Sequence, residues 1–266
     1  MHPLLQGFYE TPPLWTNSQF GLEQFDFPEI QLEQEDGFEP KEGLRLGHQM
    51  EGVFEWLLEK SGRYGLLASN LLVEEGKIRV GELDFIVKEQ ATEAVFHVEL
   101  AFKFYLIDSS ISEPIYRLVG PNKKDMFFTK LEKLKSKQFP LRSHPSLTDL
   151  WPRLDVALED VVSRCCFKAQ LFEPYSGPVS IRPLNTSCIL GQWITFEDFE
   201  TNSFRSAKYY IPYKSEWPLR PHSAVVWMTH FEALMEVNIR MVKKQSPLLW
   251  VKDSDGGLSK LFVVWW

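Results

Sequence analysis

Between Val80 and Leu106 the chain reads VGELDFIVKEQATEAVFHVELAFKFYL. These are two β-like runs joined by the polar stretch Glu89–Thr92. Alternate residues of a strand share a face. Glu82 and Asp84 therefore lie on one side of the first run. His97, Glu99, Ala101, Lys103 and Tyr105 lie on one side of the second. A short hairpin sets Asp84 across from His97 or Glu99, so two carboxylates and a lysine converge on one patch. Metal-assisted phosphodiester hydrolysis uses these groups. Mg²⁺ or Mn²⁺ takes hard oxygen ligands and keeps several waters. The cation activates a water and offsets charge on the leaving oxygen, and a lysine stabilises charge that builds at phosphorus. A plain hairpin with one wet face shows the same alternation, and the strands alone leave both readings open. On the plain reading His97 is a surface residue of the hairpin.

The element before these strands adds a third acid. In LRLGHQMEGVFEWLLEKSG, residues 44–62, Met50, Val53, Phe54, Leu57 and Leu58 recur at helical spacing, and Gly62 closes the pattern as a C-cap. Glu51 falls at the edge of the apolar arc, with Gly47 one turn earlier. A carboxylate beside an apolar arc needs a partner. Glu51, Asp84 and Glu99 are thus three acids drawn from one helix and two adjacent strands, with Lys103 following.

These residues carry a resemblance. GELDFIV and FHVELAFK resemble the core of the restriction-endonuclease-like PD-(D/E)XK nucleases, in which a helix bearing a Glu precedes a strand, a GE(I/L)D strand and a strand ending in E-x-K. RLGHQMEGVFEWLL, VELAFKFYL, GPNKKD and IPYKSEWPLRP resemble the bacterial family known as domain of unknown function 1853, across most of the chain. The superfamily resemblance implies an α/β (α+β) fold with a restriction-endonuclease-like core, a mixed central sheet flanked by helices. It implies Asp84 and Glu99 as metal ligands with Glu51 as a third, Mg²⁺ or Mn²⁺ as cofactor, and a nuclease acting on DNA. Position 101, where E-x-K requires lysine, holds alanine. Lys103 points to the same face about 7 Å further along and is the candidate for the catalytic lysine. Read the other way, Ala101 takes the acid position of a triplet ending at Lys103, and Glu99 replaces it from two residues earlier. Glu82 and His97 are secondary candidates.

Further along, Asn122 reads as the N-cap of a helix from Lys123 to about Gln138. Lys123 and Lys124 would sit at its N-terminus, where backbone N–H groups favour a phosphate, although a solvated charged helix face explains them too. A second helix is expected over roughly 147–162, a strand over CFKAQLFEPY, a helix from about Thr229, and a hairpin turning on Asp255-Gly256. The expected division is an N-terminal arm over 1–40, a nuclease-like core over 41–174 and an aromatic-rich α+β extension over 175–266.

The composition bounds the alternatives. A 266-residue chain with 44% hydrophobic and 24% charged residues is globular. A net charge of −7 argues against a protein that coats nucleic acid through a broad basic surface, but not against a local basic channel. Nine tryptophans and a 14% aromatic fraction point first to core anchors. Trp217 and Trp227 would belong to any protein-binding face of the C-terminal part. Such a face supports a second reading, a nuclease-fold scaffold that binds a protein or nucleic acid without turnover. Cys165, Cys166 and Cys188 show no zinc spacing, fit a reducing compartment and are expected in the core. With no signal-like N-terminus and no run of roughly 20 apolar residues, a cytoplasmic protein with no membrane partner is expected. No P-loop, GxGxxG, GxSxG or HExxH pattern occurs.

Overall fold

The computed structural model describes residues 2–31, 37–41 and 43–266, with Asn202 by its backbone alone. In chain order the elements are α1 (Pro3–Glu10), β1 (Ser18–Gln19), β2 (Leu22–Glu23), α2 (Leu46–Ser61), β3 (Tyr64–Glu75), β4 (Ile78–Glu89) and β5 (Val95–Ile107). They continue with β6 (Leu118–Val119), α3 (Phe127–Lys133), α4 (Leu150–Arg153) and β7 (Val161–Pro174). The last are β8 (Ile189–Thr195), α5 (Phe196–Phe199), β9 (Lys208–Tyr210), α6 (His230–Val242), β10 (Leu248–Lys252) and β11 (Leu258–Val264). The fold is α+β, with a large mixed sheet of strand order β3-β4-β5-β7-β8-β11-β10-β9 and β6 paired to β5.

The chain divides into two compact units. The first holds residues 1–9, 13–102 and 129–168; the second holds 10–12, 103–128 and 169–266. The division crosses β5 between Phe102 and Lys103, and β7 between Lys168 and Ala169.

In the first unit, α2 follows from its spacing. Met50, Val53, Phe54, Leu57 and Leu58 are fully buried, and Gly62 ends the helix in the left-handed region at φ 64°. Phe54 lies 4.6 Å from Phe85 of β4, ring centre to ring centre, and 5.8 Å from Phe25. α2 and the N-terminal segment thus cover one face of β4 and β5. β3 and β4 form a long antiparallel pair that closes Glu75 onto Ile78, with Gly76 at φ 63° in the turn between them. β4 and β5 pair in the register Phe85↔Val98, Ile86↔His97 and Val87↔Phe96.

The other face of the hairpin is covered too. α3 runs into a π-helical turn, Leu134–Gln138, and then a 3₁₀ turn, Phe139–Ser143. This segment approaches β4 so closely that a Cβ on Gly81 would stand 2.4 Å from Leu141 Cδ1. The glycine of GELD is therefore a contact point for the covering segment. The wet hairpin face considered from the sequence does not exist at His97 and Glu99, which have no exposed surface.

Two expected helices are corrected. α3 begins at Phe127, not Lys123: Lys123 sits at φ 54° in a turn where its N–H donates to the Gly120 carbonyl. Asn122 Oδ1 accepts the Ser246 N–H and is no helix cap. The long helix over 147–162 is replaced by 3₁₀ turns at Pro145–Leu147 and Leu158–Asp160 around the four-residue α4. Asp155 at φ 56° interrupts any continuation. Leu147, Trp151 and Val161 instead pack on Leu83 and Ile86 of β4.

In the second unit, β8 pairs parallel to β7 and to β11, and β11–β10–β9 are antiparallel. α6 is capped by Thr229, whose Oγ1 accepts the Glu232 N–H while Glu232 Oε2 accepts the Thr229 N–H. Its Ala233 and Val237 join Phe199, Tyr209, Leu249 and Val263 in one core. Cys165, Cys166 and Cys188 are all buried as free thiols. Among the described residues, no helix is long and apolar enough to cross a membrane.

Candidate functional site

The period-two pattern of β4 and β5 brings Asp84 and Glu99 together. Extending the observed register by one residue beyond Phe85↔Val98 sets Asp84 opposite Glu99. The backbone ladder stops at that point, and the Asp84 side chain continues it: Asp84 Oδ2 accepts the Leu100 N–H at 2.9 Å. Glu99 in turn hydrogen-bonds both the backbone N–H and the carboxyl of Asp84.

Two carboxyls in contact away from water cannot both ionise cheaply. Burial, then the charge of Glu99, pushes Asp84 up to about 7, against the Leu100 N–H and Lys130. Burial likewise pushes Glu99 up to about 7, opposed first by Lys130, then by the Asp84 hydrogen bonds and Lys133. The two titrate as a pair that holds a proton near neutral pH.

His97 completes the buried cluster. Its Nε2 lies 2.9 Å from Glu99 Oε1. Burial lowers its basicity to about 4, so the contact is a hydrogen bond from a neutral ring and not an ion pair. Nδ1, left as a bare acceptor, has no hydrogen-bond partner. The covering segment closes the site: Phe139 stacks edge-on to His97 at 5.7 Å, and Gln138 Nε2 donates to Glu99 Oε2. Lys130 Nζ donates to Gln138 Oε1 at 2.8 Å. Lys130 is the basic residue that sequence reasoning missed. It was visible only as one of several lysines in NKKDMFFTKLEKLKSK.

The remaining candidates fall elsewhere. Glu51 is bonded to His48 Nδ1 at 3.0 Å and reaches Asp84 through its charge alone. Glu82 pairs with Arg79. Glu51 and Glu82 line a groove of about 910 Å³, with Glu55, Trp56, Arg79 and His48 also on its walls, whereas Asp84, His97 and Glu99 do not line it. Lys103 lies in the second unit, where its Nζ donates to Asp125 Oδ2 at 2.7 Å. Lys123 stacks 3.6 Å over the Trp266 ring, and neither it nor Lys124 is at a helix N-terminus. Among the described residues, no group of three or more His, Cys, Asp or Glu is gathered as a metal-holding cluster. Of the three expected acids, Asp84 and Glu99 are in contact, and Glu51 is linked to Asp84 by charge.

The fold and this carboxyl pair define an α+β protein with two acids held together beneath a helical cover, Glu99 fully buried and Asp84 partly so. The chain belongs to the family of the domain of unknown function DUF1853, whose model matches residues 10–259. No curated protein and no solved structure matches it.

Proposed function

We propose that this chain is a divalent-cation-dependent nuclease with a restriction-endonuclease-like core, hydrolysing phosphodiester bonds in nucleic acid, DNA foremost. One observation carries the reading: Asp84 and Glu99 are held against each other where water is scarce, with their proton affinity raised. Structural acids are ordinarily paired with bases. Two acids kept together are a place for a shared proton or for a cation that displaces it. The donors fit Mg²⁺ or Mn²⁺, being hard carboxylate oxygens on adjacent strands.

The other residues have supporting tasks. The Leu100 N–H fixes Asp84, and His97 and Gln138 fix Glu99. Lys130 bears on both acids and takes the electrostatic role expected of Lys103. Glu51 stands at the groove wall and bears on Asp84 through its charge. When bound, the cation would supply an activated water and neutralise charge on the leaving oxygen.

A second reading is favoured by the full burial of Glu99 and His97 under Gln138 and Phe139. It is a nuclease-fold scaffold without turnover, with a protein or nucleic-acid partner. Calorimetric titration of Mn²⁺ into wild type and Asp84→Asn, followed by DNA cleavage assays, separates the two. The nuclease reading expects binding and cleavage in wild type and neither in the variant. Heats that are equal in the two proteins, with no cleavage, leave the scaffold.

A further inference from the structure

α6 has two apolar faces, and only one is used inside the molecule. His230, Ala233 and Val237 are buried against the second unit's core. On the opposite side Phe231, Met235, Ile239 and Val242 follow one another at spacings of four, four and three, which keeps them in one stripe. They are 70%, 52%, 50% and 81% exposed. Scattered exposed hydrophobics need no explanation, but four in line on one well-capped helix are a contact surface.

The charges beside the stripe specify its partner. Glu232 stands exposed in the first turn and Lys243 exposed at the C-terminal end. Eleven residues is close to three full turns, so both flank the stripe on the same side. Turned end for end, the pattern is its own complement. Phe231 meets Val242, Met235 meets Ile239, and Glu232 meets Lys243, each twice. A parallel copy would carry Glu232 and Lys243 to opposite sides of the seam, where they could not pair. Self-complementarity under a two-fold rotation is the mark of an isologous interface.

We infer that α6 is a dimerisation helix that packs antiparallel on α6 of a second copy of this chain. A helix of this length is about 20 Å long, so the paired helices alone fall short of the roughly 1,200 Å² of a stable interface. The dimer is therefore weak and depends on concentration. This inference is independent of the nuclease reading.

Sedimentation velocity of the full chain, from micromolar to near-millimolar concentration, tests it. Wild type is expected to pass reversibly from monomer to dimer. Met235→Lys and Ile239→Lys, each presented twice across the two-fold, weaken the dimer by at least about a hundredfold. Lys243→Glu weakens it by about tenfold through repulsion from Glu232 of the other copy. Combining Met235→Lys with Ile239→Glu restores part of the loss, because the new charges face each other across the axis. All three substituted positions are exposed, so thermal melts of the variants should match wild type. A chain that stays monomeric throughout overturns the proposal. So does a dimer indifferent to these substitutions.

Discussion

Two of the molecule's buried ionisable sites are resolved differently. In the second unit Lys260 of β11 is 5% exposed. Its Nζ donates to Gln170 Oε1 and to the Trp217 carbonyl, both at 2.7 Å. Gln170 Nε2 passes the chain on to Thr11 Oγ1 and the Pro218 carbonyl. Each donor there has an acceptor. In the first unit Asp84 faces Glu99, like against like, and His97 keeps a bare nitrogen beside them. A satisfied buried network holds a fold together. An unsatisfied one costs stability, and a protein that retains it has a use for the unspent interaction. The contrast sets a lysine with its hydrogen bonds satisfied against a carboxyl pair that, on the nuclease reading, is kept for chemistry.

The largest expected effect is on chemistry. Lys130→Gln removes the cation that bears on both acids, and on the nuclease reading DNA cleavage falls by about 10²–10³-fold. An unchanged rate would move Lys130 to the structural side of the comparison. Next is Lys260→Met, which orphans two buried carbonyl acceptors and should cost about 2 kcal/mol in denaturant unfolding. Asp84→Asn should act in the opposite direction and stabilise the protein by about 1–2 kcal/mol at pH 8, because it deletes half of a repulsive pair. A destabilised Asp84→Asn would show that the acids are structural after all.

The pH dependence sharpens the same contrast. Asp84 and Glu99 titrate above their unfolded values, so the folded state holds extra protons between about 4 and about 7. Their contribution to stability is present at acid pH and is lost as pH rises through that window. His97, lowered to about 4, opposes one of the two. Burial and then Arg220 lower Lys260 to about 7, so its contribution increases with pH from about 7 to about 10. The difference in stability between wild type and Asp84→Asn should therefore widen between pH 5 and pH 8, and that for Lys260→Met above pH 8. The smallest effect belongs to Lys103→Met. It breaks a half-exposed pair with Asp125, worth well under about 1 kcal/mol, and should leave cleavage unchanged.

The carboxyl pair was legible in the sequence because strand alternation is a strict two-residue period, and both runs keep it from Asp84 to Glu99. α2 and α6 were legible for the same kind of reason, through their 3.6-residue period, with Gly62 closing α2. The cover over the pair was not. It depends on a left-handed Lys123, a π-helical turn and a leucine resting on Gly81, none of which has a periodic signature. The burial of His97 follows from that cover, so a surface residue was the natural expectation. Lys130 was hidden by its neighbours: one lysine among six between Lys123 and Lys137 has nothing in its spacing to mark it. Lys103 misled because it obeys the alternation, and its partner Asp125 lies beyond a loop that the alternation does not describe.

The hydrogen bond from the Leu100 N–H to Asp84 gives the site an internal reporter. A carboxylate that stands in for a strand's carbonyl protects one amide from exchange with solvent. A cation that claims this carboxylate must share it with that amide or take it away. Deuterium uptake at Leu100, followed with and without Mn²⁺, reads occupancy of the pair one residue from Glu99 without any substrate.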